Sequence, residues 1–564
     1  MGRMLLGVFL LFSATLWLSL SNIDRPLDLR HDWLTAHTTI NLEYMRQCGV
    51  FRNDAASVLF LPSPELSCGA IRNLPEPGKR IYLSYPTVWL IALYPIYEVA
   101  HVLAPDHTPN YVLLRRIELL LVRLSFIFLM IRWVMHSLQL LFPAIRGKDR
   151  IWMALTGAAI VDFSPAFLQF TQNILFTDMV VLPLIFAAVE LLHRFIHRGA
   201  QLWGGLFLSL LLGLASGTDW YGAIFSGFSL ALLLLFRRRM RLSAALFAII
   251  AAGPTLAAIH YISQILLFDP GLHQIISTAS QRTAVGGGWT ENLSKAISYL
   301  PDYTPFARNQ WTGIVLSSSG LLAFGALVRR AIRSKRMDIW IHTAPILCAI
   351  IHLALFSQHA AKHEFYGLKF TPLLSLALAS IPAILANCRA IRPGRMARWV
   401  TGIMGFAVIL GLPQWKEHYW NLIGPRAPVI DHLSMESMGR TFKERKVFLV
   451  TIAQKRVDGY VPMNAEGWAP PMSLALAQRE VYTLDRLLRY RRAIRSSAWD
   501  EYPVILITLN DQALEACPLK WETSDWLFYE GPAAICRTSM SPDQYFRWLD
   551  ERGLTPNLLD PSGK

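Results

Sequence analysis

A succession of apolar segments separated by short, arginine-rich loops constrains this chain more than any other feature. Crossing the roughly 30 Å hydrocarbon layer of a bilayer takes about 20 residues of helix. Backbone polar groups cannot stay unpaired in lipid, so each crossing segment is expected to be helical. Segments suited to cross lie at about 4–20, 117–141, 151–168, 179–193, 202–217, 220–236, 242–268, 312–328, 339–356, 368–387 and 399–413. With 53% hydrophobic residues in 564, the chain is excluded from the soluble globular class. Residues 1–20 have the basic start and apolar run of a signal peptide but no clear small-x-small cleavage site, so they read as a retained first helix.

A net charge of +15 would suggest a nucleic-acid partner in a soluble protein. Here the cations fall mainly between apolar segments, where they orient the chain, and no nucleic acid is expected. Counting from a cytoplasmic N-terminus, the inner loops hold Arg146, Lys148 and Arg150; Arg194 and Arg198; Arg237, Arg238, Arg239 and Arg241; Arg329, Arg330, Arg333, Lys335 and Arg336; and Arg389, Arg392, Arg395 and Arg398. Every inner loop obeys the positive-inside rule. This predicts a multi-pass protein of a bacterial-type inner membrane. The apolar stretch 86–103 is left out of the count, because one more crossing there would invert every later loop. Its Tyr and Trp residues, with Glu98 and His101, suit an interfacial or re-entrant helix, a true crossing being the alternative.

Three parts then face outward: a long first loop at 21–116, a second at about 269–311, and the tail. The expected architecture is an all-α polytopic membrane domain of about eleven transmembrane helices over 1–413, followed by a small α/β periplasmic domain over 414–564. Strands are expected at 447–451, 481–484, 504–509 and 527–529, with helices near 471–478 and 542–550. Cys48, Cys68, Cys517 and Cys536 all fall outside, where an oxidising periplasm allows two disulfides in any of three pairings or leaves the thiols free. No Cys/His spacing makes a zinc site.

Acidic residues near the outer ends of membrane helices are the first candidates for chemistry. Asp32 stands in Asp28-Leu29-Arg30-His31-Asp32-Trp33, before an amphipathic helix expected at 33–47 and ended by Gly49. Asp178 follows Gln172 in the second outer loop, after Ser164-Pro165, and Asp219 lies at the next outer turn, in Gly217-Thr218-Asp219-Trp220-Tyr221. Each reads alternatively as a helix cap, since a side-chain carboxylate at a helix start accepts backbone N–H bonds. Gly286-Gly287-Gly288 follows no strand and lacks a Gly-Lys-Ser/Thr ending, so it reads as a hinge and not as a phosphate loop.

The order of these features is an acidic residue after the first span, Tyr85-Pro86 opening an apolar stretch, Ser-Pro followed by Gln and Asp, then His363-Glu364-Phe365-Tyr366. It resembles the protein O-mannosyltransferase and lipid A aminoarabinose transferase branch of the GT-C glycosyltransferases. The resemblance covers about residues 1–413. It implies an inverting glycosyltransferase that moves a sugar from a polyprenyl-phosphate donor to a lipid, glycan or protein acceptor at the outer face. Asp32 matches the catalytic acidic residue of the family's first outer loop and Asp178 the functional one of the next. The chain departs from the pattern where His31 replaces the first member of an acidic pair, and where Thr87 replaces a second Pro. A donor carried by the membrane also answers a delivery problem, because nucleotide sugars are made inside.

On this reading Asp32 is the base for the acceptor hydroxyl, and Asp178 orients the acceptor or supports Asp32. Substrate-binding candidates are His31, Tyr85, Gln172, Asp219, Arg282, Lys362, His363, Glu364 and Tyr366, with Lys369 and Arg308 as further cations for the phosphate. No cofactor is required, although two outer carboxylates are compatible with a divalent metal. Two other readings are a lipid or polysaccharide transporter and a glycan ligase. The chain lacks the similar halves or paired broken helices of many transporters, and its tail lacks the Trp-Trp-Asp-Tyr-Gly signature of the N-glycosylation oligosaccharyltransferases.

Overall fold

The computed structural model describes residues 2–20, 32–59, 61–73, 81–103, 111–172, 176–283, 288–303, 310–334, 336–389, 395–396, 399, 402, 441–442, 445–451, 482–491, 494, 496–508, 517–519, 522–528 and 531–554. The helices, in chain order, are α1 (Gly2–Leu20), α2 (Asp32–Cys48), α3 (Val88–Leu103), α4 (Tyr111–Ile117), α5 (Leu124–Leu141), α6 (Gly147–Asp162), α7 (Pro165–Gln172) and α8 (Thr177–Arg198). They continue with α9 (Leu202–Ser216), α10 (Trp220–Leu235), α11 (Ala244–Phe268), α12 (His273–Arg282), α13 (Trp289–Ser298) and α14 (Gln310–Ser334). Then come α15 (Met337–Leu355), α16 (Ser357–Lys362), a 3-10 stretch Glu364–Phe370, and α17 (Thr371–Arg389). The predicted crossing at 399–413 and helix near 471–478 lie outside the described residues, apart from Trp399 and Gly402.

The chain folds as two compact units. The first comprises Met1–Asp24, Ser84–Trp89 and Arg115–Ile423; the second comprises Arg25–Leu83, Leu90–Leu114 and Gly424–Lys564.

The first unit is a helical bundle. Four of its helical stretches are long and apolar enough to cross a membrane: Thr177–Arg198, Ala244–Phe268, Met337–Leu355 and Glu364–Ile384. The outward faces of α9 and α11 expose Trp203, Phe207, Leu210, Leu256, Ile259 and Leu266. A soluble protein seldom leaves so much contiguous apolar surface bare, whereas lipid solvates it at no cost. The chain is therefore a multi-pass membrane protein.

Inside the bundle, Phe126, Phe167, Phe186 and Trp133 pack ring against ring at 5.6–5.7 Å between α5, α7 and α8. A buried Arg123–Asp162 ion pair of 3.0 Å joins α6 to the helical turn before α5. The crossing of α9 and α11 depends on glycine. A Cβ on Gly253 would lie 2.0 Å from the Ser209 carbonyl oxygen, so only glycine admits the approach, and the Ser209 hydroxyl accepts the Gly253 N–H at 3.0 Å.

The structure corrects one predicted span. Residues 151–168 are not one helix: α6 ends at Asp162 and α7 starts at Pro165. Proline has no N–H to offer the preceding turn and is pre-set for the first position of a new helix. Ser164 completes the break, donating its hydroxyl to the Val161 carbonyl at 2.7 Å and accepting the Phe167 N–H at 3.3 Å.

The second unit contains α2, most of α3 and a five-stranded sheet. Its strands are β1 (Phe448–Thr451), β2 (Tyr482–Thr483), β3 (Val504–Thr508), β4 (Glu522–Phe528) and β5 (Gly531–Arg537), in the order β2-β1-β3-β5-β4. The β1 strand runs parallel to β2 and β3, while β5 runs antiparallel to both β3 and β4. Helices Leu484–Tyr490, Ser496–Glu501 and Pro542–Glu551 accompany it, and the last begins with a reciprocal Ser541–Gln544 capping box. Disulfides join Cys48 to Cys68 and Cys517 to Cys536. At the end of α2, Gly49 takes φ +90°, a left-handed conformation that favours glycine.

Candidate active site

Four elements of the first unit bring charge to one buried spot. The α8 helix starts at Thr177-Asp178, α10 at Trp220 with Asp219 as its cap, α15 carries His352 near its end, and the 3-10 stretch supplies Tyr366 and Lys369. The side chains of Asp178, Asp219, His352, Tyr366 and Lys369 are packed away from solvent almost completely, Lys369 and Asp178 to 1% exposure and Asp219 to 0%.

Lys369 is the centre of the group. Its ammonium donates to Asp178 Oδ1 and lies 3.5 Å from Asp219 Oδ1. The Tyr366 ring sits 4.2 Å from the same nitrogen, a cation–π contact, and stacks on the His352 ring at 5.1 Å. His352 Nε2 stands 3.9 Å from Asp219 Oδ1. Asp219 also accepts the Tyr221 N–H at 2.7 Å, so it does cap α10. Its other oxygen, Oδ2, has no hydrogen-bond partner among the described residues. Asp178 is in the first turn of α8 but caps nothing; Phe176 holds the cap position without a side-chain bond, and Thr177 donates to Asp178 Oδ2 at 3.4 Å. One ammonium thus serves two carboxylates, the charge a cation between them would otherwise supply.

A second cluster in the same unit contains more of the expected residues. The Arg282 guanidinium lies 4.7 Å from the centre of the Tyr85 ring and donates to the Ser84 carbonyl at 3.3 Å. The Tyr85 hydroxyl is 3.2 Å from His359 Nε2. His359 packs on His363 at 4.4 Å and on Tyr366 at 5.2 Å, which links this cluster to the lysine group. Burial, and then the positive charge of Arg282, hold the His359 imidazole well below its usual range, so the ring is neutral at neutral pH. Gly367 permits the local packing: a Cβ there would meet the Tyr303 ring at 2.1 Å, and the Tyr303 hydroxyl donates to the Glu364 carbonyl at 2.9 Å.

Of the residues named from sequence, Asp178, Asp219, Tyr366 and Lys369 come together in the lysine group, and Tyr85, Arg282 and His363 in the adjoining cluster. Glu364 is buried beside them, whereas Lys362 is exposed. Asp32 opens α2 in the second unit, and its side chain lies outside the described residues, as do His31, the side chain of Gln172, and Arg308. Sequence reasoning missed His352 and His359. The first is hidden in an apolar run and reads as core. The second stands four residues before His363, but α16 ends at Lys362 and His363 is extended, so the 4.4 Å packing of the two rings does not come from a shared helical face.

Sequence reasoning also missed Glu43, a buried carboxylate of the second unit. It accepts from Arg46 Nε at 2.9 Å, Gln47 Nε2 at 2.6 Å and the Tyr97 hydroxyl at 2.7 Å. Burial pushes its carboxyl up, but these hydrogen bonds outweigh burial and hold it below the usual carboxylate range.

By sequence, the chain matches no protein-family model and no curated protein. By structure it is similar to ArnT from Cupriavidus metallidurans in the apo state, with a TM-score of 0.52 at 13% identity over 93% of this chain and 97% of that one. The same enzyme bound to undecaprenyl phosphate gives 0.51 at 13% identity, over 94% and 97% of the two chains. The archaeal oligosaccharyltransferase AglB from Archaeoglobus fulgidus, in complex with an inhibitory peptide and a dolichol-phosphate, gives 0.50 at 11% identity, over 91% and 70%. These are GT-C glycosyltransferases, and the chain shares their fold.

Proposed function

We propose that the chain is a membrane glycosyltransferase that takes a sugar from a polyprenyl-phosphate donor and passes it to a lipid, glycan or protein acceptor at the outer face of an inner membrane. The observation that carries this reading is the buried Asp178–Lys369–Asp219 group, built at the starts of two membrane helices in a chain with the GT-C fold. Ionisable groups buried inside a membrane bundle are costly even when paired, which makes them functional-site candidates. The neighbours bound to undecaprenyl phosphate and dolichol-phosphate support a lipid-phosphate donor.

In the proposed reaction the acceptor hydroxyl attacks the anomeric carbon, the bond to the lipid phosphate breaks, and the hydroxyl proton passes to a carboxylate. Asp32 is the proposed base. Asp178 and Asp219 are positioning residues, because their oxygens hold Lys369 and the α10 cap. Arg282, supported by Tyr85, is the proposed cation for the departing phosphate, as charge stabilisation of the leaving group needs a cation more than an acid. The arrangement assumes eleven crossings, with the N-terminus inside and the residues after 413 outside, and it rests on the basic inner loops.

The test is donor choice. Purified protein in lipid should turn over a polyprenyl-phosphate sugar and ignore the matching nucleotide sugar. Efficient use of the nucleotide sugar without a lipid carrier would remove the basis of the reading.

A further inference from the structure

Arg329, Arg330, Arg333 and Arg336 stand at the basic end of α14 and just beyond it, and the bundle uses two of them. Arg330 donates to the Leu140 carbonyl at the end of α5, and Arg336 pairs with Asp338, its Nε donating to Oδ1 at 3.1 Å. Arg329 and Arg333 differ. Both are exposed, and neither has a hydrogen bond or ion pair among the described residues. Four residues apart, they share one face of the helix, where like charges repel.

Below them the same face is apolar and hollow. The two arginines line a groove of about 460 Å³ together with Phe324, Gly325, Val328 and Ile332. Gly325 leaves it open, for a Cβ there would meet no atom within 4 Å. Packing falls to the other side of α14, where Leu327 and Ala331 are buried and a Cβ on Gly320 would lie 2.9 Å from the Leu373 side chain of α17. The groove therefore looks out of the bundle, beside the exposed Leu321 and Leu322. From Phe324 to Arg333 it follows about 13 Å of helix. A free anion would leave the apolar part bare, and an uncharged lipid would leave the two guanidiniums unanswered. A second copy related by a two-fold axis along the membrane normal would bring the same arginines to the same depth, where they repel. A hydrocarbon chain with an anionic head at the arginine end answers both halves of the lining.

We propose that this face of α14 binds one anionic glycerophospholipid, its phosphate held by Arg329 and Arg333 and an acyl chain lying in the groove beside Gly325. Guanidinium groups suit the phosphate because their paired N–H donors match its oxygens. Bringing one negative charge between the arginines also relieves their repulsion. None of these residues has a place in the transferase site, and the binding does not depend on which leaflet holds this end of α14.

The experiment is native mass spectrometry of the full chain, purified in detergent, stripped of lipid and titrated with phosphatidylglycerol alone and phosphatidylcholine alone. One phosphatidylglycerol should bind roughly 25-fold more tightly than phosphatidylcholine, since each basic residue near a headgroup contributes about fivefold. Arg329→Gln/Arg333→Gln should abolish that preference. Gly325→Leu keeps both charges but fills the groove, and should weaken the first phosphatidylglycerol by roughly 10-fold. Arg237→Gln/Arg238→Gln, in the exposed basic turn after α10, should change nothing. All of these positions face outward, so melting temperatures should stay with the wild type. Equal binding of the two lipids, or unchanged binding of the first phosphatidylglycerol in Gly325→Leu, would overturn the proposal. So would a lipid-free dimer that Gly325→Leu splits, which would give the groove to a second copy.

Discussion

Replacing Lys369 with methionine tests the buried charge group most directly. Methionine keeps most of the side chain's length and packing but deletes its only charge. Lys369 serves both Asp178 and Asp219, and all three are at most 1% exposed, so the variant leaves two carboxylates buried without their cation. Breaking a buried ion pair by removing one partner costs about 3–5 kcal/mol. The Asp178→Asn variant should behave differently. It leaves Lys369 still 3.5 Å from Asp219, a one-to-one pair, and keeps a side chain that can accept from the ammonium. Its cost should be that of weakening one charged hydrogen bond, about 1.5–3 kcal/mol. The Lys369→Met/Asp178→Asn double variant removes one of the two stranded charges and should recover part of the Lys369→Met loss. Denaturation of the purified proteins in detergent reads all three. If Lys369→Met unfolds with the wild type, or Asp178→Asn is the more damaging of the two, the shared-lysine account is wrong.

Four further outcomes follow from the sequence and the site. Asp32→Asn should lower transfer by about 10²–10⁴-fold with little change in melting, because loss of a base far exceeds the ~1 kcal/mol of a weakened cap; near-normal transfer would reject Asp32 as the base. Alkaline phosphatase fused after Gly147 or Ser334 should be inactive and fused after Pro413 active, and activity after Ser334 would overturn the topology. Burial lowers His37 to about 4, so the unfolded chain takes up a proton first as pH falls below about 6.5. Its contribution is full above that pH and is lost between about 6.5 and 4; His37→Asn should flatten the pH dependence of stability across that window. Opening Cys48–Cys68 by Cys48→Ser/Cys68→Ser should cost about 2–4 kcal/mol, read as faster limited proteolysis of the 32–73 region.

The parts of this molecule legible in sequence are those governed by local rules. The start of α8 next to Asp178 and the cap at Asp219 could be read because a carboxylate at the head of an apolar run has few other uses. The end of α2 at Gly49 and strands β1, β2 and β3 followed from turn chemistry and alternation, whereas the expected strand at 527–529 met only the end of β4 and β5 was not expected. What could not be read is who meets whom. Lys369 reads as a phosphate ligand in the sequence, because nothing local shows that its ammonium will meet a carboxylate 191 residues earlier. His352 looks like core for the same reason. The break at Ser164-Pro165 was readable, but the apolar character of both flanks concealed it inside one predicted crossing.

The close approach of α9 and α11 has a consequence for how the protein is made. These helices and the α10 between them are consecutive in the chain, so their glycine-lined crossing can form as soon as α11 leaves the ribosome. Asp178 and Asp219 are by then already synthesised, yet their counter-ion belongs to a segment that comes much later. At roughly 5–20 residues per second, Lys369 follows Asp178 by about 10–40 s. During that interval two carboxylates at helix heads have no ammonium to meet and must stay hydrated at the membrane surface or within the insertion machinery. The lysine therefore closes the bundle late, and chains truncated before it should be recognised by membrane quality-control proteases as unfinished.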